Sequence, residues 1–222
     1  MSDHAAQAER APMGGATRLL RDILSDLETT AKERAPAEEK PAATLGDVFD
    51  RLDERAFGIL LLLLALPCCL PFVYVLPQIV SLPMLALAAQ MALGRKTPWL
   101  PTSLRKRSFS VPEFRDVITR SEKYVGWVER LARPRLRPVT GHGAARIVGL
   151  LMLVPTVSIM IPLPGTNTVP GIGIAVISLG LIEHDGALVI LGLLIGVAWV
   201  ALLLFFGLEA ASTIKDWISA HI

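Results

Sequence analysis

The chain has 222 residues, 52% of them hydrophobic, and 22 Lys/Arg against 20 Asp/Glu. A soluble domain seldom reaches that apolar share, so a soluble enzyme is excluded as the expectation. The small net charge hides an asymmetry: residues 1–55 carry 8 basic against 12 acidic side chains, and residues 95–146 carry 13 against 4.

In chain order, residues 1–43 read as an N-terminal extension. Its first 16 residues suit disorder. Thr17–Arg34 then sets Leu19, Leu20, Ile23, Leu24 and Leu27 on one helical face. A Pro/Ala/Glu-rich linker follows. Thr44 is expected to start a short amphipathic helix with Leu45, Val48, Phe49 and Leu52 inward and Asp47 in its first turn. No signal peptide is expected, because the first apolar run starts only at Ala56.

Three stretches lack any charge: Ala56–Gly94, Ile147–Ile182 and Gly186–Leu208. One spanning helix needs about 20 apolar residues, so membrane insertion is the expectation. The first stretch holds Pro67, Pro71, Pro77 and Pro83, and the second Pro155, Pro162, Pro164 and Pro170. Each proline removes a backbone donor, and in lipid the freed carbonyls need protein or a water-filled cavity as cover. In the second stretch, the turn-forming residues 161–171 leave arms of about 22 Å and 18 Å, short of a hydrocarbon core of about 30 Å. A re-entrant hairpin or a pair of broken helices is expected there.

The two stretches match at a spacing of 87 residues. Leu76-Pro77 aligns with Leu163-Pro164, Ser81 with Thr168, Pro83 with Pro170 and Ala88 with Ala175. An internal repeat is the reading, against chance matching of proline-rich apolar sequence. Between the repeats, Ser110-Val111-Pro112-Glu113 reads as a capping box opening a basic amphipathic helix suited to an anionic membrane surface. Gly186–Leu208 reads as an ordinary span, with a short polar tail from 209 to 222.

The expected fold is therefore an all-α integral membrane protein. Repeat one covers 56–94, a cytoplasmic basic connector 95–146, repeat two 147–182 and a final transmembrane helix 186–208, with amphipathic surface helices beside them. Short Lys/Arg-rich loops stay cytoplasmic, which places the chain as a multi-pass protein of a bacterial inner membrane. The basic stretch is explained this way, and nucleic acid is not an expected partner.

No catalytic constellation is visible, so no enzyme activity and no cofactor are expected. His4, His142, His184 and His221 have no spacing partner for a metal. Adjacent Cys68 and Cys69 suit core packing. What remains at membrane depth is uncharged and polar. Gln78, Ser81, Thr166, Asn167 and Thr168, beside the prolines of the matched repeats, are the candidate substrate-binding residues; the alternative is that they cap broken helices. Glu183 and Asp185, between the second and third stretches, read as an exposed turn or as a protonatable gate.

Several segments resemble the ExoD family of bacterial membrane proteins. They are Thr44-Leu45-Gly46-Asp47 with Arg55-Ala56-Phe57-Gly58, Leu64-Ala65-Leu66-Pro67, Gly94-Arg95 with Pro98-Trp99-Leu100-Pro101, and Pro162–Gly173. The resemblance covers about Thr44–Gly207 and implies a link to exopolysaccharide production. The architecture itself favours a small transporter of a polar solute, such as the amino acid arginine or an ion, although the apolar stretches lack the acidic residues a cation would want. The alternative is a non-catalytic accessory protein of exopolysaccharide synthesis. A homodimer is expected, with Gly192 and Gly196 as a small-residue contact face, and membrane lipid as the other partner.

Overall fold

The computed structural model describes residues 22–27, 29, 42–53, 55–71, 75–112, 115–116, 119, 132, 135–161 and 166–221. Expectations that fall elsewhere, including most of the basic amphipathic helix expected after Ser110 and the prolines Pro162 and Pro164, lie outside them.

A small cap comes first. Residues 22–27 are helical. Strand β1 (Ala42–Thr44) pairs antiparallel with β2 (Ser108–Ser110), and between them lie α1 (Leu45–Leu52) and a short turn of helix α4 (Thr102–Arg105). The ribbon departs from the all-α expectation; Ser110 ends β2 opposite Ala42 and stands directly before helical Val111 and Pro112. The capping box at Thr44 is present, with Thr44 accepting from the Asp47 amide while Asp47 accepts from the Thr44 amide. Ile23, Leu27, Val48, Leu52, Ala56 and Val111 form the core of this cap. The N-terminal region is therefore not merely an extension, because Ile23 and Leu27 are buried against α1.

The main body holds α2 (Arg55–Ala65), which tightens into a 3₁₀ turn at Leu66–Cys69, then α3 (Leu76–Ala92), the short α5 (Arg137–Thr140), α6 (His142–Met160), α7 (Thr168–Glu183) and α8 (Gly186–His221). The helices α6 and Gly186–Gly207 of α8 are long and apolar enough to cross a membrane. The core joins Phe57 and Leu61 of α2, Met84 of α3, Met152 of α6, Ile174 and Ile177 of α7 and Val189 of α8.

Contacts at glycines fix the directions. A Cβ on Gly58 would fall 2.9 Å from the Ser178 carbonyl oxygen, so α2 and α7 lie antiparallel with backbones nearly touching. One on Gly192 would fall 2.5 Å from the Gly173 oxygen, which sets α7 against α8. Gly149 meets Ala88 and Ala92 in the same way, so α3 and α6 are antiparallel. The first helix of each hairpin packs chiefly on the second helix of the other. One end of the body collects Phe57, Met91–Lys96, Thr140–Arg146 and Leu181–Gly186; it is called here the basic end. The other, the break end, collects the 3₁₀ turn, the start of α3, the end of α6 and the start of α7.

Three expectations need correction. The helix α6 has 19 residues and α7 has 16, about 28 Å and 24 Å, longer than the arms read from sequence. Helix α6 starts before the apolar run and continues through Pro155. Pro170 stands in the first turn of α7, where no amide partner is required. Second, α8 does not stop at Leu208 but runs to His221, since 209–221 contains neither proline nor glycine to end it. Third, Gly192 and Gly196 are buried against Gly173, Ile177 and Pro155 of the same chain, so that face is not free for self-association.

Candidate functional site

The prolines shape the break end. Pro67 sits in the first turn of the 3₁₀ segment and Pro77 in the first turn of α3, each where its missing donor costs little. Pro83 lies inside α3 and Pro155 inside α6, where each leaves one carbonyl without its helical partner. Matched prolines thus stand differently: Pro83 lies within a continuous helix and Pro170 in the first turn of one. Ser81 falls in the second turn of α3, and Thr168 is the first residue of α7.

The five candidate binding residues divide into two groups at this end. Ser81 is fully buried and its hydroxyl donates to the Gln78 carbonyl at 2.6 Å. The Gln78 side-chain oxygen is buried and accepts no hydrogen bond. Across the body, Thr166, Asn167 and Thr168 lead into α7. The Thr166 carbonyl accepts from the Trp199 indole at 3.1 Å, which ties this segment to α8. Asn167 is 8% exposed, makes no side-chain cap to α7, and its Oδ1 is buried without a donor. Next to this start, Gly171 lies against Cys68 of the 3₁₀ turn. Among the described residues no hydrogen bond joins the Gln78–Ser81 pair to the Thr166–Thr168 group.

Two buried amide oxygens without donors are unusual, since most buried polar atoms are satisfied. Each can accept one strong hydrogen bond from an incoming N–H or O–H group. Two buried hydroxyls deeper in the helices are already used: Thr156 donates to the Met152 carbonyl and Ser178 to the Ile174 carbonyl, both at 2.7 Å.

The Glu183 and Asp185 pair sits at the opposite, basic end. Asp185 is 2% exposed, and its Oδ1 accepts from the Ala187 and Leu188 amides at 3.0 and 3.4 Å. It caps the N-terminus of α8. His184 ends α7 in a left-handed conformation. The structure therefore does not bring the gate candidates to the binding candidates. The Trp199 bond to Thr166 depends on the α7–α8 crossing and has no local signal in the sequence. Among the described residues no cluster of His, Cys, Asp or Glu is arranged to hold a metal.

The family model described as "Exopolysaccharide synthesis, ExoD" matches residues 20–205. The chain belongs to the ExoD family. Its match starts ahead of Thr44, in keeping with Ile23 and Leu27 packing into the cap. The Synechocystis sp. protein slr1875 is 31% identical over 192 residues, covering 82% of this chain and 90% of that protein. The protein named ExoD of Rhizobium meliloti is 30% identical over 151 residues, covering 66% of this chain and 62% of the relative. No solved structure matches the chain. The ExoD assignment and the two long apolar helices agree in pointing to a membrane protein.

Proposed function

We propose that this chain is a membrane-embedded, non-polymerising accessory component of exopolysaccharide synthesis. The ExoD match over residues 20–205 is the observation that carries this reading. Membrane embedding is supported by the surface. Leu63, Ile79, Leu82, Leu150, Leu194 and Phe205 are each more than half exposed on the helix walls, and such a belt would expose a large apolar patch in water. Only 17% of Gly186–Gly207 is buried inside the chain, unlike a core helix.

In this reading each proline-broken segment crosses the membrane and returns, and α8 makes a final pass. The shorter helices, about 24 Å long, are accommodated by local thinning of the bilayer. The hairpins run in the same direction and pack crosswise, which supports descent from one repeated unit. The 13 basic side chains of 95–146 hold the basic end in the cytoplasm.

A second reading, passage of a small polar solute, is favoured by the free Gln78 and Asn167 oxygens at one end of the body. One comparison separates the two. Exopolysaccharide is measured in a host lacking this protein and in the same host complemented with it, beside solute flux in proteoliposomes. Restored polymer with no flux of arginine or simple sugars is the expected result. Polymer output unaffected by the deletion would overturn the accessory reading.

A further inference from the structure

We propose that a pocket at the basic end binds a phosphate group carried on a lipid headgroup. Phe57, Met91 and Leu181 supply its apolar lining, and Arg95 and Lys96 contribute the exposed cations. The wall is completed by Thr140, Ala145 and His184. The Arg146 guanidinium lies directly against Gly94, adding a third cation beside the first two. Among the described residues, ion pairs engage Arg51 and Arg105, and none reaches Arg95, Lys96 or Arg146. Three cations outside any ion pair within one small region favour an anion with several acceptor oxygens.

The enclosed part holds only about 20 Å³, room for a water, so the anion sits in the open mouth between the flexible cations. A lipid fits better than a free anion for a structural reason. Leu93, two residues before Arg95, is 78% exposed, and Ile147, next to Arg146, is 62% exposed. Apolar side chains open to the surroundings directly beside cations suit an amphiphile, with its headgroup on the cations and its tails on the leucine and isoleucine. Nearby Trp99 is 60% exposed, as suits a side chain at the level of headgroups. The first turn of α6 adjoins the pocket and has no side-chain cap, which adds to the positive potential.

Native mass spectrometry of the full chain in mild detergent tests this, with phosphatidylglycerol, phosphatidylethanolamine and inorganic phosphate as separate probes. Phosphatidylglycerol should bind more tightly than phosphatidylethanolamine. The double variant Arg95→Gln/Lys96→Gln should weaken its binding about 30-fold, from the usual strength of basic side chains near anionic lipid. Removing the same charge elsewhere, with Lys106→Gln/Arg107→Gln, should leave it unchanged. An equal loss in both double variants, or no loss in the first, would overturn the site. Inorganic phosphate binding as tightly as the lipid and displacing it would overturn the lipid as its ligand.

Discussion

Replacing the two free amide oxygens by apolar groups should stabilise the protein and damage its function. The variants are Gln78→Met and Asn167→Leu, each close in shape to the original. A buried acceptor left without a donor costs about 1–3 kcal/mol. Gln78 is only half-buried, so about 1 kcal/mol is expected there; Asn167, at 8% exposure, should return about 1–2 kcal/mol. For a chain of this size, each 1 kcal/mol moves Tm by about 2–4 °C. Asn167→Leu should therefore unfold about 2–8 °C higher than wild type in detergent, followed by intrinsic fluorescence, and Gln78→Met about 2–4 °C higher. Both should fail to restore full exopolysaccharide in a host lacking the protein. Lower Tm in both variants would show that these oxygens already have partners, and the reasoning would fail at its first step. Higher Tm with normal polymer would leave the oxygens as plain defects and remove them from the functional site.

At the α7–α8 crossing, Gly192→Ala should destabilise by about 1–3 kcal/mol, because its Cβ would meet the backbone of Gly173 and Ile177. Gly143→Ala, with nothing within 4 Å, should be neutral or slightly stabilising; equal effects in thermal unfolding would refute the close packing. The five-helix path starts at the basic end and finishes at the break end, so reporters at Gly141 and after Ile222 should report opposite compartments. Cytoplasmic signal from both would overturn the path.

Much of this arrangement could be read from residues. Uncharged runs located the helices, and the Thr44–Asp47 cap was legible because a capping box is a local pattern of two side chains and two amides. The helix ends were misread where the sequence cue was ambiguous. A proline in a first turn, like Pro170, looks in sequence the same as one inside a helix, like Pro83. Ribbon pairing of Ala42 with Ser110 joins residues far apart in the chain and leaves no periodic trace over three residues. The same holds for the site. Gln78 and Asn167 stood out as polar residues in apolar runs, but that their oxygens are buried and free depends on packing from other helices. Asp185, read as part of an exposed turn, is instead buried, because the Ala187 and Leu188 amides at the start of α8 hold its carboxylate, and no local pattern announces that burial.

The crosswise packing of the hairpins bears on how the protein is made. Gly58 on α2 and Ala88 on α3 find their partners on α7 and α6, not on each other. When the first hairpin leaves the ribosome, those partners have not been synthesised, and the basic connector must still be made before them. In the membrane reading proposed above, the notched faces of α2 and α3 meet lipid during that interval. Tertiary assembly is thus postponed until the second hairpin arrives, and a chain truncated before Gly171 would be a substrate for quality-control proteolysis even though both helices of its first hairpin are complete.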